Sequence, residues 1–359
     1  MPPGQLALHA DRGRPMKAKA TVLLFADHGV TKSHTASLYV EIGLEGLLLE
    51  AVMIRAVRTD ILEIAYAELG PPEGWPVVLS HGFPYDMHAY DAVAPLLAEA
   101  GARVIIPYLR GFGPTRFLSG TTMRSGQQAA LGSDLVGLLD ALRIDAAILA
   151  GFDWGGLASC VAAALWPERV VGLVSLASYD VIDVARLGHA FQPALECAMW
   201  YQHLFQTERG RECLAMHRRD LCRILWRQWS PHWQFDEATF ERTAASFDNP
   251  DFIDVVIHSY RFGFGLASGD PALSVLEERL AGKPKIRVPA VTLDGASDPL
   301  KPGGTADQAG MFIGRHEHRV IEAGHALPME APLAFGDAVL TIRRWHGGDG
   351  EGRTRIMAQ

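Results

Sequence analysis

The feature that most constrains the fold of this chain is a glycine-framed turn between an apolar strand and an alanine-rich helix. The turn, residues 151–156, reads GFDWGG. Residues 146–150 (AAILA) predict a short buried strand before it, and residues 157–166 (LASCVAAALW) predict a helix after it. Glycine lets the backbone turn sharply and lets strand and helix approach closely. The turn therefore predicts that Asp153 is held out at a helix N-terminus, where the helix dipole favours an ionised carboxylate.

An aspartate at this point of the turn limits the chemistry that the chain can support. A carboxylate nucleophile forms an ester with an alkyl carbon of its substrate, so epoxides and alkyl halides are the expected substrates rather than ordinary esters or peptides. Water must then attack that ester, which requires a base and an acid that orients the base. We predict that Asp153 is the nucleophile.

Strands and helices alternate along most of the chain, which is typical of a mostly parallel sheet with helices on both faces. Helices are predicted over residues 91–100, 125–142 and 331–345. Eight strands are predicted, over residues 54–58, 60–69, 75–80, 102–107, 146–150, 170–176, 287–293 and 318–321.

Residues 179–280 depart from this alternation, because they contain only helical patterns rich in Trp, Arg, Phe and His. The clearest of these helical patterns cover residues 195–205, 212–229 and 236–247. We interpret this segment as a helical cap inserted over the carboxyl ends of the strands, where open α/β sheets bind ligands. Residues 53–178 and 281–346 then form the α/β core.

The two ends of the chain do not resemble the rest. Residues 1–52 mix Pro, Gly, His and Arg, and we expect an extension that is either flexible or the result of a start assigned upstream of Met53. Residues 347–359 are polar and glycine-rich, and we expect a flexible tail.

Composition excludes several classes of function. The net charge of −8 over 359 residues, with no basic stripe, argues against a nucleic-acid partner. The four cysteines lack metal-ligand spacing and are expected to be reduced thiols, since we find no secretory signal. No apolar run approaches the roughly 18 residues that span a bilayer. We therefore expect a cytoplasmic protein, a monomer or a homodimer, with no metal.

The base and its partner are predicted from residues that follow the last two strands. Gly324-His325 closes one strand, and His325 is the predicted base. The preceding strand ends in a segment with two carboxylates, of which Asp298 is the predicted partner and Asp294 the weaker alternative. The order nucleophile, acid, histidine is the order expected for a turn of this kind.

A second motif, HGFP at residues 81–84, follows the third strand. We expect the backbone N–H groups of Phe83 and Trp154 to point into one pocket as an oxyanion hole. Loss of one such donor costs on the order of 3 kcal/mol of transition-state stabilisation.

Together these motifs resemble the epoxide hydrolases of the α/β-hydrolase fold, the group that includes soluble epoxide hydrolase. The resemblance rests on HGFP, RGFG at residues 110–113, the GFDWGG turn, the Asp298 loop and Gly324-His325, which cover about residues 53–345. It implies hydrolysis of an epoxide to a vicinal diol through an ester on Asp153. It also implies a small, apolar substrate and no organic cofactor.

The same resemblance implies two tyrosines in the cap that donate hydrogen bonds to the epoxide oxygen. Tyr201 in WYQHLF and Tyr260 in SYRF match those positions. One departure is Phe152, where the family usually carries histidine. We expect the Phe152 side chain to point away from the reacting atoms.

The substrate pocket is the least constrained prediction. We place in it His81, Gly82, Pro84, Trp200 and Phe205. Cap aromatics suggest an apolar pocket, although such side chains more often form the core of the cap itself. Arginines recur at helical spacing at Arg218, Arg219, Arg223 and Arg227, which favours a solvated face and leaves open a carboxylated substrate.

Two other functions are compatible with these residues. A haloalkane or haloacid dehalogenase shares the Asp–His–acid set, and the Trp154 indole would be one halide donor. That hypothesis lacks a second donor, because Phe83 occupies the expected place, and it leaves Tyr201 and Tyr260 unexplained. A hydrolase-fold protein that only binds a small ligand is the other hypothesis, and the intact set of Asp153, His325 and Asp298 argues against it.

Overall fold

The alternating pattern forms one sheet of nine strands in the computed structural model, which describes residues 53–187 and 189–353 and side chains up to residue 347. The predicted extension, residues 1–52, lies outside the described residues, as does the end of the predicted tail. The strands are β1 (Arg55–Arg58), β2 (Leu62–Leu69), β3 (Trp75–Ser80), β4 (Ala102–Pro107), β5 (Arg116–Phe117), β6 (Ala147–Gly151), β7 (Val170–Leu176), β8 (Ala290–Gly295) and β9 (His316–Ile321).

The strand order is β1-β2-β4-β3-β6-β7-β8-β9, and β5 pairs with β2. Strand β2 runs antiparallel to β1, β4 and β5, whereas every pair from β4 to β9 is parallel. The prediction of a mostly parallel α/β-hydrolase sheet is therefore confirmed. The carboxyl ends of β3, β6, β7 and β8 lie side by side, which brings together the loops that follow them.

The predicted count of eight strands missed β5. Two residues are too few to produce an alternating pattern, and β5 is defined only by its pairing with Leu62 and Glu63. Strand β8 also begins later than predicted, at Ala290, because Pro289 has no N–H to donate to the sheet. Its carbonyl instead accepts a hydrogen bond from the Leu173 N–H at 2.9 Å.

Twelve α-helices accompany the sheet within the described ranges. Helix α1 packs with α12, and α2 packs with α3, so the helices form two separate layers. They are α1 (Val93–Glu99), α2 (Gln128–Ala141), α3 (Trp154–Leu165), α4 (Val184–Leu187), α5 (Pro193–Ala198), α6 (Trp200–Phe205), α7 (Glu208–Trp229), α8 (Glu237–Ala244), α9 (Phe252–Gly263), α10 (Ser274–Ala281), α11 (Leu327–Glu330) and α12 (Pro332–Arg353).

The helical insertion, α4–α10, occupies the chain between β7 and β8, and no strand is found among its described residues. The pattern over 195–205 is two helices, α5 and α6, rather than one. Helix α7 begins after Thr207, whose hydroxyl accepts a hydrogen bond from the Gly210 N–H. Helix α12 continues past the predicted end at residue 345 to Arg353. No helix in the described part of the chain combines the length and apolarity needed to cross a membrane.

Candidate active site

The GFDWGG turn joins β6 to α3 through a strained residue. Asp153 has φ 51° and ψ −127°, a conformation that costs an L-residue with a side chain about 1–3 kcal/mol. The glycines on either side are sterically required. A Cβ on Gly155 would lie 1.8 Å from the Ser80 carbonyl oxygen, and a Cβ on Gly151 would lie 2.3 Å from the Gly155 carbonyl carbon. Close packing of β3, β6 and α3 thus fixes the position of the Asp153 carboxylate.

One oxygen of that carboxylate accepts two backbone hydrogen bonds. The N–H groups of Phe83 and Trp154 each donate to Asp153 Oδ1 at 2.7 Å. Gly82 leaves the room for this contact, since a Cβ there would lie 2.4 Å from the Asp153 Cβ. The two N–H groups predicted to form an oxyanion hole therefore converge on a single oxygen atom.

The other oxygen, Asp153 Oδ2, faces a histidine. His325 Nε2 lies 3.4 Å from Asp153 Oδ2, and His325 Nδ1 lies 2.8 Å from Asp298 Oδ2. The His325 and Asp298 side chains are 3% and 2% exposed, whereas that of Asp153 is 13% exposed. Of the three side chains, Asp153 is thus the one most open to a ligand.

Asp294, the weaker alternative for the acid, is occupied elsewhere. Its two oxygens accept hydrogen bonds from the Thr305 N–H and hydroxyl, both at 2.6 Å, and His318 Nε2 lies 3.2 Å from it. These contacts tie the end of β8 to Thr305 and to β9. Asp298 is therefore the carboxylate that the fold brings to His325.

The two carboxylates control the charge of His325. Burial alone would lower the pKa of His325, but the carboxylates of Asp298 and Asp153 outweigh it and raise the pKa to about 10. The imidazole is thus a cation at neutral pH. Because this pKa exceeds the ordinary value of 6.5, the ion pairing stabilises the fold fully below pH 6.5 and is lost as the pH rises through about 10.

Replacing Asp153 with Asn is expected to lower the pKa of His325 by roughly 1–3 units, because one of its two anionic neighbours is removed. Titration of the ¹⁵N-labelled imidazole by NMR measures this directly. Asp60→Asn, a change at an exposed turn between β1 and β2, is the matched control and should leave the pKa of His325 unchanged. An unchanged His325 pKa in Asp153→Asn would contradict the electrostatic coupling of the two side chains.

Two tyrosines from the helical insertion stand over this site. Tyr201 on α6 and Tyr260 on α9 are both buried, with ring centroids 5.4 Å apart and planes at 88°. Both pack on the ring of Phe83, at 6.4 and 5.5 Å respectively. Burial is the main cause that raises the pKa values of both tyrosines well above the ordinary range. The next cause is the charge of Asp153 for Tyr201 and the neighbouring Tyr201 for Tyr260. Both phenols therefore stay protonated and able to donate.

A cavity of about 200 Å³ brings the two parts of the site together. Asp153, Trp154, His325, Tyr201 and Tyr260 all lie in its wall. Most of the remaining wall is apolar, formed by Leu157, Ile182, Leu187, Met199, Phe264 and Leu300. Sequence patterns missed these positions, since each is an ordinary apolar residue of a helix or loop.

The five residues predicted to form the pocket are not among those that line this cavity, which corrects that prediction. His81 is buried and neutral, because burial lowers its pKa to about 4. Its Nε2 accepts a hydrogen bond from the Leu109 N–H at 3.1 Å, which ties the HGFP turn to the end of β4. Gly82 gives room to Asp153, and the Pro84 carbonyl accepts from the Trp226 indole at 2.9 Å.

Trp200 and Phe205 likewise serve the insertion itself. The Trp200 indole donates to Gln228 on α7 at 2.8 Å. Phe205 is fully buried under the rings of Phe83 and Tyr260. Phe205 is therefore a core residue that packs against Tyr260, and the half-buried Trp200 ties α6 to α7.

The arginines of α7 bond to acidic side chains. Arg218, Arg219, Arg223 and Arg227 form ion pairs with Asp248 or with residues 237 and 241 of α8. None of the four lines the cavity, so a carboxylated substrate held by them there is not supported.

Phe152 packs behind the turn. It is fully buried, with its ring centroid 4.9 Å from that of Tyr85 and 6.2 Å from that of His325. It is absent from the cavity wall, in keeping with the expectation that its side chain points away from the reacting atoms. Across the described residues, no group of three or more His, Cys, Asp or Glu side chains is arranged to hold a metal ion.

Comparison with known proteins agrees with this architecture. A family model described as the α/β-hydrolase fold matches residues 76–332. A crystal structure from Klebsiella pneumoniae, described as that of a putative epoxide hydrolase, is 44% identical with a TM-score of 0.79, and the match covers 81% of this chain and 97% of that one.

Two curated relatives match over shorter stretches. Epoxide hydrolase A of Mycobacterium tuberculosis is 33% identical over 126 residues, 34% of this chain and 37% of its own length. A haloalkane dehalogenase of Mycobacterium marinum is 34% identical over 127 residues, 34% of this chain and 41% of its own length. The chain thus spans less than half the length of these curated relatives. On the family match over residues 76–332 and the structural likeness over 81% of its length, the chain belongs to the α/β-hydrolase fold family and is similar to proteins named epoxide hydrolases.

Proposed function

We propose that this protein is an epoxide hydrolase that converts a small epoxide to a vicinal diol through an ester on Asp153. The observation that carries the proposal is that the two oxygens of the Asp153 carboxylate have different partners. Oδ1 is held by two backbone N–H groups, while Oδ2 is turned to His325 in the cavity that the two tyrosines also line. The names of the relatives support the same class of substrate.

In the first half-reaction, Asp153 Oδ2 attacks a ring carbon of the epoxide. A new C–O bond forms as the C–O bond of the strained ring breaks, and the electron pair moves to the epoxide oxygen. Tyr201 and Tyr260 donate hydrogen bonds to that oxygen, and one of them transfers its proton. An acid in this position contributes on the order of 10² to 10⁴ in rate. Asp153 Oδ1 becomes the ester carbonyl oxygen without leaving its two donors.

Formation of the ester changes the state of His325. Esterification removes the negative charge of Asp153, which is one of the two causes of the raised His325 pKa. The imidazolium then gives up its proton, which restores the tyrosine. A neutral His325, still oriented by Asp298, is left as the base for the next step. Formation of the ester therefore converts His325 into the neutral form that can act as a base.

In the second half-reaction, His325 takes a proton from water and the hydroxide attacks the ester carbonyl carbon. The oxyanion develops on Asp153 Oδ1, where the N–H groups of Phe83 and Trp154 already point. Collapse breaks the bond to the alkyl oxygen, the diol leaves, and the protons return to give ionised Asp153 and protonated His325. One oxygen of the Asp153 carboxylate now comes from water.

Product analysis tests the proposal. The purified protein is incubated with matched terminal epoxides and 1-haloalkanes of the same chain length, and diol and free halide are measured. Diol from the epoxides without halide release is the expected result. Halide release without diol would overturn the proposal in favour of a dehalogenase.

Dehalogenation is the second candidate, and two observations favour it: the haloalkane dehalogenase relative and the Trp154 indole in the cavity wall. The second halide donor is missing, because the side chain at the expected place is Phe83, whose ring stacks on Trp154 at 5.6 Å and has no polar hydrogen. A non-catalytic ligand-binding role would not explain why Asp153 has a strained backbone conformation or why two backbone N–H groups donate to its carboxylate.

We also propose that residues 179–280 act as a cap on an α/β core of residues 53–178 and 281–346. The wall of the cavity supports this division, since Asp153 and His325 reach it from loops after strands and the tyrosines reach it from α6 and α9. A substrate would then be enclosed between the two parts.

A further inference from the structure

Two charged side chains of the cavity wall have no part in the proposed mechanism. Asp180 lies four residues after the end of β7, and Lys301 follows Asp298 by three residues. Lys301 Nζ donates to Asp180 Oδ1 at 3.2 Å. The side chain of Lys301 is 31% exposed and that of Asp180 is 19% exposed, so both remain accessible to a ligand.

The pair is unusual for its surroundings. Among the described residues that line the cavity, Lys301 is the only lysine or arginine. The wall of the same cavity includes Ile182, Leu187 and Leu300, which offer no polar side-chain atoms. An apolar substrate that filled this part of the cavity would strip water from both charges and return no hydrogen bond.

The pair also has unused hydrogen-bonding capacity. An ammonium has three N–H donors, and the structure gives Lys301 Nζ one side-chain acceptor, Asp180 Oδ1. The carboxylate of Asp180 has a second oxygen that can accept. A ligand atom placed between them could therefore accept from Lys301 and donate to Asp180 at the same time.

The charges that face the pair select the kind of ligand group. Asp153, Asp298 and His325 act electrostatically on one or both members of the pair. With Asp180 and Lys301 themselves counted, the group contains three carboxylates and two cationic side chains. Burial lowers the pKa of Lys301, but Asp180 outweighs it, and the pKa ends above its ordinary value, which keeps the ammonium charged. A further carboxylate would add to the excess of negative charge. A neutral hydroxyl adds none and supplies both a donor and an acceptor.

We infer that Asp180 and Lys301 form a polar subsite that binds a hydroxyl group of the substrate, so that the preferred substrates are epoxides that carry a hydroxyl away from the ring. The inference rests on the proposed function for the reacting end of the substrate. It adds a second point of attachment to the wall of the same cavity, and this contact sets substrate selectivity rather than the rate of ring opening.

Selectivity between two matched substrates tests the subsite. The ratio of kcat/KM for 5,6-epoxyhexan-1-ol to that for 1,2-epoxyhexane is measured in each protein. Wild type is expected to favour the hydroxylated epoxide, and Lys301→Met to reduce this ratio about 10-fold, the effect of a lost hydrogen bond to a charged group. Asp180→Asn keeps the shape of the side chain and is expected to reduce the ratio in the same direction.

Lys283→Met is the matched control. Lys283 also pairs with an aspartate, Asp183, but its side chain is 56% exposed and it does not line the cavity. This variant should keep the wild-type ratio. A ratio that is unchanged in both Lys301→Met and Asp180→Asn would overturn the subsite, as would a wild-type preference for 1,2-epoxyhexane.

A binding measurement separates failure of the subsite from failure of the proposed function. Calorimetric titration of the intact protein with hexane-1,2,6-triol and hexane-1,2-diol needs no turnover. Tighter binding of the triol, lost in Asp180→Asn, would support the subsite even if no epoxide were hydrolysed. Equal binding of the two alcohols would refute the subsite and leave the proposed reaction to be judged by its products.

Discussion

Asp153→Asn is expected to lower the kcat of epoxide hydrolysis by about four orders of magnitude or more, the scale on which removal of a nucleophile acts in other covalent enzymes. The amide has no anionic oxygen to open the ring, although it can still accept from the N–H groups of Phe83 and Trp154. The change is close to isosteric, so the fold and the cavity should persist. Initial rates of diol formation from 1,2-epoxyhexane measure the effect.

Two controls keep this result interpretable. Asp60→Asn makes the same chemical change at an exposed turn and should retain the wild-type rate. Mass spectrometry of Asp153→Asn before and after the assay checks that the amide has not deamidated back to the acid. Turnover within 10-fold of wild type by a verified amide would remove Asp153 from the role of nucleophile.

The paired change Tyr201→Phe with Tyr260→Phe is expected to slow ring opening by about 10²- to 10⁴-fold, the contribution of a positioned acid. Both hydroxyls are lost while the buried rings remain, so packing against Phe83 is kept. Rapid mixing of enzyme in excess over epoxide isolates the first half-reaction. The loss should appear in formation of the ester, and hydrolysis of an ester already formed should change little.

Tyr66→Phe supplies the matched control for loss of a buried phenol. Tyr66 lies in β2, is 6% exposed and does not line the cavity. The Tyr66→Phe variant should carry out both half-reactions at wild-type rates. If removal of the two hydroxyl groups did not slow ester formation, Tyr201 and Tyr260 would be packing residues. That result would favour the dehalogenase hypothesis.

The central part of the fold could be predicted from the sequence because local chemistry and tertiary packing agree there. Strands β3, β4 and β7 have the predicted bounds, since each is an apolar run closed at its end by a polar residue or a turn. The GFDWGG turn predicted both a strand–helix junction and a side chain held out from it. The left-handed Asp153 and the close contact of Gly155 with Ser80 are the physical reasons.

Residues that meet only through the folded chain were harder to predict. Asp180 and Lys301 lie 121 positions apart, and neither is part of a recognisable motif. Their positions just beyond β7 and β8 were the available clue, because loops at the carboxyl ends of neighbouring parallel strands meet at one edge. The aromatic residues of the insertion misled for the opposite reason. Trp200 and Phe205 are aromatic, as many pocket residues are, but Trp200 bonds to Gln228 on α7 and Phe205 is buried against Phe83.

The most direct test of the account is the fate of the water oxygen in a single turnover. Enzyme in excess is mixed with an epoxide in water labelled with ¹⁸O, and the peptide that contains Asp153 and the diol are analysed by mass spectrometry. The account predicts that the label enters the Asp153 carboxylate and that the diol from this first turnover carries none. Label in the first diol, with Asp153 unlabelled, would mean that water attacks the epoxide directly and would contradict the ester mechanism.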